Sequence, residues 1–283
     1  MAKPTYVSTP KLEDYKEQFA GKFEFERRNG ILQVRMHTDG KPVKWSYQMH
    51  NALAELYSVI GHDQENEVII WTSTGEAWIA DFDAEAFAEI ERSEDANLKF
   101  NLTYHDSVKI MENYINDINV PVIGAINGPG LHWEMAMMAD ITLCTPDFRV
   151  RDDHFGDGTV PGDGQGLILQ TILGLKRANY MMYMVNSIDA QTCLDWGLVN
   201  EVLPREKLLP RAWEIAEKIM KQPRPIRRMT KRITSRPWKR MFYHDFDVQI
   251  AHEFYGFALT RSPHHFDEIQ GKWTDAERNV SKK

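Results

Sequence analysis

The chain has 283 residues, 42% of them apolar, and a formal net charge of −7. That length supports one substantial core with a small appendage, and the acidic balance argues against nucleic acid as a partner. No apolar run approaches the roughly twenty residues that span a bilayer. The opening MAKPTYVSTPKLEDYKEQF has no apolar signal core, so the chain reads as cytoplasmic with no membrane partner.

Residues 1–22 are polar and read as an N-terminal tail. Phe23 to Arg28 and Ile31 to His37 alternate in polarity around Asn29-Gly30, a hairpin signal. Met49, Leu53, Leu56 and Ile60 recur at helical spacing, which predicts a helix over Tyr47 to Ile60. Trp45 precedes it and as a bare residue reads as core. Val68 to Thr72 is a buried strand leading into a loop with Asp81, Phe82 and Asp83, whose carboxylates read as loop or helix caps. Glu85 to Asp95 is acidic and is expected to be mobile. Leu98 to Ile118 reads as one long helix.

Val120 to Gly164 organises the chain. Val120 to Ile126 is apolar, β-branched and uncharged, the pattern of a strand buried on both faces. Asn127-Gly128-Pro129-Gly130 stops it with a sharp turn. His132 to Ala139 then reads as a short buried helix whose free N–H groups face the loop. This is either an anion site or an ordinary strand-to-helix turn. The glycine-rich loop that follows carries His154 and, nine residues later, Asp163. A carboxylate that accepts an imidazole N–H fixes its tautomer and makes the other nitrogen a general base. A surface histidine and a turn-forming aspartate fit the spacing equally.

Further on, Leu167 to Leu173, Lys176 to Val185 and Ala190 to Trp196 read as short helices, and Val199 to Leu203 as a strand. Pro204 and Pro210 bracket the start of a helix ending near Lys221. The basic run Arg224 to Arg232 reads as a solvated face or a subunit contact. Trp238 to Thr260 reads as a long aromatic-rich helix. His244, His252, His264 and His265 form no compact ligand spacing, so no metal is expected. Cys144 and Cys193 are the only cysteines and read as buried free thiols.

The strand and loop Val120 to Gly128, the run Glu134 to Asp140, Gly158 to Gly162, Ala190 to Leu203 and Arg205 to Lys221 together resemble the crotonase (enoyl-CoA hydratase/isomerase) superfamily. The resemblance spans Phe23 to Trp273. It implies an α/β fold: a spiral of β-β-α repeats over residues 23–204 holding the active site, then a helical trimerisation region over 205–283. Homotrimers or dimers of trimers are the implied assemblies.

The departures from that pattern carry the functional expectation. Family hydratases use two glutamates; Glu134 matches the first, but His154 stands where the second is due. Leu131-His132-Trp133 replaces a longer glycine run, and Phe82 occupies an oxyanion loop usually built of small residues, whose N–H would be one oxyanion donor. These features look like the branch of 6-oxocamphor hydrolase and related β-diketone hydrolases, which cleave a C–C bond between two carbonyls without CoA. That likeness assigns His154, Asp163, His132 and Glu253 to catalysis and Trp45, Phe82, Trp133 and Glu134 to a substrate pocket, with no cofactor, no metal and a small diketone as substrate. The alternative is an acyl-CoA-processing hydratase or isomerase, which Glu134 keeps open. A noncatalytic binding role, or a non-hydrolytic use of the pocket, is also compatible with the residues.

Overall fold

The computed structural model describes residues 7–260. In chain order the elements are α1 (Leu12–Gln18), β1 (Phe23–Arg28), β2 (Ile31–Met36), β3 (Lys44–Trp45), α2 (Tyr47–His62), β4 (Val68–Ser73), β5 (Asp81–Phe82), α3 (Ala84–Arg92) and α4 (Ala96–Phe100). A π-helical turn at Asn101–His105 joins α4 to α5 (Asp106–Asp117). Then come β6 (Val122–Ile126), α6 (Glu134–Met137), β7 (Ile141–Cys144), β8 (Arg149–Val150), α7 (Gln165–Leu173), α8 (Leu175–Met184), β9 (Ile188–Asp189), α9 (Ala190–Asp195), β10 (Glu201–Val202), α10 (Arg205–Met220), α11 (Arg224–Thr234) and α12 (Arg236–Thr260).

Six strands form one sheet in the order β1-β2-β4-β6-β7-β10. Only the β1/β2 hairpin is antiparallel; each later strand adds in parallel after a crossover. The sheet is covered on both faces, and that is why β4 and β6 are buried at every position. Ile69 and Trp71 join the large core with α2 and α5, while Val68 and Ile70 pack against Leu208, Ala212 and Ala216 of α10. Two small sheets stand apart: β3 with β5, and β8 with β9. The first places Trp45 directly opposite Phe82.

Several expectations change. Most of the acidic segment 85–95 is helical, as α3 runs to Arg92. Asp83 caps α3 by accepting from the Ala86 N–H, and Phe87, Ala88 and Ile90 turn inward while the acids face out. The long helix before the central strand is α4 and α5 with a π turn between them. The helix expected over His132 to Ala139 shrinks to the four residues of α6, because His132 has φ +49° and cannot be part of a right-handed helix. Pro210 lies inside α10. The basic run on α11 is only partly a solvated face: Arg224 and Arg232 are exposed, but Arg224, Arg227 and Arg228 all grip Glu67, and Lys231 pairs with Asp140 at 2.8 Å. These bonds fasten the helical C-terminal segment to β4 and β7. Cys144 and Cys193 are buried free thiols. His264 and His265 lie outside the described residues.

The turn after β6 passes so close to the β4–β5 loop that a Cβ on Gly128 would sit 1.9 Å from the Glu76 carbonyl oxygen. Backbone on both sides leaves no flexible atom to yield. Gly128→Ala is therefore expected to destabilise the fold by at least about 1–3 kcal/mol, seen as a lowered urea midpoint; an unchanged midpoint would show that the two loops can separate freely.

Candidate active site

A cavity of about 310 Å³ opens between the sheet's loops, α5 and α12. Its walls are largely apolar, with Trp45, Phe82, Phe87, Met111, Phe246 and Phe254 among them. All eight residues singled out from the sequence line it: Trp45, Phe82, His132, Trp133, Glu134, His154, Asp163 and Glu253. They come from five separate stretches of chain, which the fold brings to one place.

His154 sits in the loop between β8 and α7. Its Nδ1 is 2.7 Å from Asp152 Oδ1, and the same oxygen accepts the His154 backbone N–H at 3.0 Å. Asp152 is 1% exposed. The carboxylate that fixes the imidazole is thus Asp152, not Asp163. An aspartate readily turns back on the residue two positions on, and this local turn reaches Nδ1 first. Asp163 instead faces the other nitrogen: its Oδ2 lies 3.7 Å from His154 Nε2 and 3.6 Å from His132 Nδ1. Gln165 holds Asp163 in place through its backbone and side-chain N–H groups, at 3.1 and 3.0 Å.

Glu253 reaches the same point from α12. Its Oε1 lies 4.0 Å from His154 Nε2, and its Oε2 accepts the Gly162 N–H at 3.1 Å. Gly162 packs so tightly on α12 that a Cβ there would lie 2.3 Å from the Gln249 carbonyl oxygen. A glycine is what lets the loop dock and deliver its amide to Glu253. His252, its neighbour in sequence, is exposed and bonded to the Val248 carbonyl.

His132 holds a left-handed conformation that side chains adopt at a cost. Three contacts keep it there. Trp78 Nε1 donates to its carbonyl at 3.0 Å, its ring lies over Trp45 with centroids 4.0 Å apart, and its Nδ1 is 2.8 Å from Glu134 Oε1. Trp133 is fully buried and donates its indole N–H to the Arg151 carbonyl, so it is a wall and not a free donor. The Phe82 N–H is likewise engaged: it donates to Asp81 Oδ1 at 2.8 Å, which withdraws the amide expected to face an oxyanion.

Two residues escaped the sequence reading. Asp152 was legible only as an acid two residues before His154. His50, in the first turn of α2, was hidden among the polar positions of an amphipathic helix. Its ring meets Trp45 edge-on at 4.9 Å, with Ser107 Oγ 3.4 Å from Nδ1.

The environments push these groups apart. Burial drives His50 down to about 3, with His132 adding to the effect. Burial takes His132 down to about 4, helped by His154 and opposed by Asp163. For His154 burial pulls down too, but Asp163, Asp152 and Glu253 outweigh it and hold the imidazole well above its ordinary value. Burial raises Glu134 to about 8 and raises Asp163 as well. Among the described residues two groups offer nitrogen and carboxylate ligands within 4.8 Å of one another: His132, Glu134 and Asp163, and His154, Asp163 and Glu253. Both are assembled from distant stretches, which is why no sequence spacing announced them.

A mostly parallel sheet with helical crossovers leads into a cavity lined by three imidazoles, His50, His132 and His154, and by carboxylates that include Glu134, Asp163 and Glu253, the groups that acid–base chemistry needs. The enoyl-CoA hydratase/isomerase family model matches residues 26–273, and the chain belongs to that family, the crotonase superfamily. Its fold is the crotonase fold. A short-chain enoyl-CoA hydratase of Clostridium acetobutylicum is 28% identical over 243 residues, covering 82% of this chain and 89% of the relative. Among solved structures, a β-diketone hydrolase from the cyanobacterium Anabaena sp. PCC 7120, bound to (S)-3-oxocyclohexyl acetic acid, is 32% identical with a TM-score of 0.80. That match covers 88% of this chain and 98% of the other. An enoyl-CoA hydratase/isomerase from Mycobacterium paratuberculosis shares the fold, at 22% identity and a TM-score of 0.79, over 88% of this chain and 98% of that one. Among the described residues no helix is long and apolar enough to cross a membrane.

Asp152→Asn removes the negative charge beside His154 Nδ1 and leaves only a neutral amide oxygen to accept its proton. The His154 titration midpoint, followed by histidine NMR, is expected to move down, and Asp163→Asn to move it the same way. A midpoint unmoved in Asp152→Asn would mean that the 2.7 Å contact does not hold in solution.

Proposed function

We propose that this chain is a CoA-independent hydrolase that cleaves the C–C bond of a cyclic β-diketone by a retro-Claisen reaction, giving a keto acid. The observation that carries the reading is the setting of His154. Its Nδ1 is held by buried Asp152, and its Nε2 faces Asp163 and Glu253 across gaps of 3.7 and 4.0 Å. Those gaps suit one bridging water. The apolar walls suit a hydrocarbon ring. The likeness to a β-diketone hydrolase bound to a keto acid supports the same class of chemistry.

In this mechanism His154 takes a proton from the water, with Asp163 and Glu253 orienting it. The hydroxide attacks one carbonyl of the diketone. His132 and Trp45, whose rings lie together, present N–H donors to the resulting oxyanion. Collapse of the tetrahedral adduct breaks the C–C bond and leaves a carboxylic acid and an enolate stabilised by the second carbonyl oxygen. The His154 imidazolium returns its proton to the enolate carbon. One water is consumed and no redox change occurs. Asp152 holds the tautomer and stabilises the imidazolium. Phe82 and Trp133 shape the pocket.

The competing reading is acyl-CoA processing, favoured by Glu134 in the cavity and by relatives described as enoyl-CoA hydratase and carnitinyl-CoA dehydratase. Against it stand His154 at the place of the second glutamate and the occupied Phe82 amide. For the assembly we propose the homotrimers or paired trimers implied by the family. Exposed apolar side chains on α11 and α12, such as Ile226, Met229, Ile233, Tyr243, Val248 and Leu259, support burial between copies.

The test follows loss of diketone ultraviolet absorbance over a panel of monocyclic and bicyclic β-diketones, with product mass and without CoA. The expected product carries one added water, and His154→Ala lowers kcat by about 10²–10⁴-fold. Clear turnover of a CoA thioester with none of the diketones would overturn the reading. The pH dependence has a fixed sign. His154 acts as a base only when neutral, and its pKa is raised, so kcat/KM climbs with pH through that titration and is lost as pH falls. Asp152→Asn moves this acid limb to lower pH.

A further inference from the structure

Glu134 stands where the family places an acid–base glutamate, yet its contacts describe another task. It is 2% exposed. Oε1 lies 2.8 Å from His132 Nδ1, and among the described residues Oε2 has no hydrogen-bond partner. Among the described residues no arginine or lysine pairs with it. The groups that face the pair are Tyr57 and His50 from α2, and Asp152, His154 and Asp163 from the loop between β8 and α7. Burial is the largest influence on Glu134 and disfavours its charge, and Asp152 adds to it; His154 favours the charge but does not outweigh burial. An ionised Glu134 would leave a buried oxygen with no hydrogen-bond donor, which is costly. A protonated one has a proton to give, and His132 Nδ1 is the acceptor at hydrogen-bond distance. The direction of the titrations agrees: burial raises Glu134 to about 8 and lowers His132 to about 4, so between those values the proton belongs on the carboxyl.

We propose that Glu134 is a positioning residue: as a neutral carboxylic acid it donates to His132 Nδ1, fixes the Nε2–H tautomer, and so makes His132 a permanent hydrogen-bond donor to the substrate's carbonyl oxygen. A neutral imidazole carries one N–H, so when Nδ1 accepts, Nε2 must hold the hydrogen. Nδ1 is already engaged, and Nε2 is the nitrogen left for a ligand of the cavity that His132 lines. Asp163 does not compete for Nδ1, because it lies 3.6 Å away and both its oxygens accept from Gln165. The strained backbone of His132 and its packing on Trp45 hold the ring for this use. His132 then neither gives nor takes a proton during turnover, and His154 does all the proton transfer. The carbonyl acceptor and the division of labour with His154 rest on the hydrolase reading; the Glu134–His132 bond and the tautomer do not.

The first test needs no substrate. In the full chain labelled with ¹⁵N-histidine, with the His132 signals assigned by their loss in His132→Gln, near-neutral pH should show a pyridine-type Nδ1 and a pyrrole-type Nε2–H. A pyrrole-type Nδ1 would overturn the proposal whatever the enzyme turns over. The second test compares Glu134→Gln with Glu134→Ala. The Gln amide can still donate to Nδ1, so this variant should keep the tautomer and kcat within about threefold of wild type. Glu134→Ala should lose on the order of 10–100-fold in kcat/KM, as removal of a ligand-orienting partner does. Wild-type activity should also fall as pH rises through the Glu134 titration near 8, because the ionised carboxylate no longer donates. Glu134→Gln should abolish that alkaline limb. A dead but folded Glu134→Gln, with unchanged circular dichroism and melting midpoint, would mean that Glu134 itself moves a proton and would sink the proposal. Absence of diketone turnover in the wild type would strike the hydrolase reading, while the NMR arm would still decide the tautomer.

Discussion

Much of this molecule is arranged around one electrostatic demand: an imidazole surrounded by carboxylates inside a mostly apolar cavity. Asp152, Asp163 and Glu253 approach His154 from three directions, and Glu134 lies close by. Left alone, such a cluster would repel itself or drain its charge by taking up protons. Each member is instead held by a specific bond. Asp152 accepts twice from His154, Glu253 accepts the Gly162 amide, Asp163 is clasped by Gln165, and Glu134 is tied to His132. These bonds set the path of the loop between β8 and α7 and dock it on α12. The C-terminal helix is thereby part of the site and not an appendage to it.

The rest of the fold answers to the same need for rigidity. The parallel sheet is buried on both faces and carries the loops that form the cavity. The β6 turn is pressed against the β4–β5 loop at Gly128, with no room for a side chain. The α11 arginines on Glu67 and the Lys231–Asp140 pair fasten the C-terminal helices to the sheet. Partly buried pairs of this kind add little net stability when compared with apolar packing, but removing one partner is expensive. Here they fix where α12 lies, and with it Glu253.

The sequence was most legible where periodicity or composition acts locally. The Asn29-Gly30 hairpin, the buried β4 and β6 strands and the α2 helix all follow from their own residues. His154 and Asp163 stood out from their glycine-rich loop, but Trp45, His132 and Glu253 were legible only through the family pattern, because they share no spacing that would announce a common site. What stayed hidden had physical causes. Asp152 lay too near His154 in sequence to look like a partner, although a two-residue turn is the shortest route to Nδ1. His50 was masked by the amphipathic helix that carries it. The acidic segment after Asp83 looked mobile because its charges outnumber its apolar residues, yet three inward side chains and one cap suffice to hold α3. Basic α11 looked solvent-facing because its partners, Glu67 and Asp140, are 160 and 91 residues away from the side chains they bind.

His132 and His154 show how one cavity can push two imidazoles in opposite directions. Asp163 Oδ2 lies nearly midway between them, 3.6 Å from His132 Nδ1 and 3.7 Å from His154 Nε2. They diverge nonetheless, because their remaining partners differ. His154 meets Asp152 at 2.7 Å and Glu253 at 4.0 Å, and is raised; His132 meets Glu134, which burial itself raises, and is lowered. Titratable groups pushed in opposite directions are what the proposed division between proton carrier and fixed donor requires. A scaffold shared with hydratases need not be rebuilt to change its chemistry. With His154 where a second glutamate is due, and the remaining glutamate turned toward a histidine, the proposed chemistry moves the mobile proton to another atom while the sheet, the crossovers and the cavity stay in place.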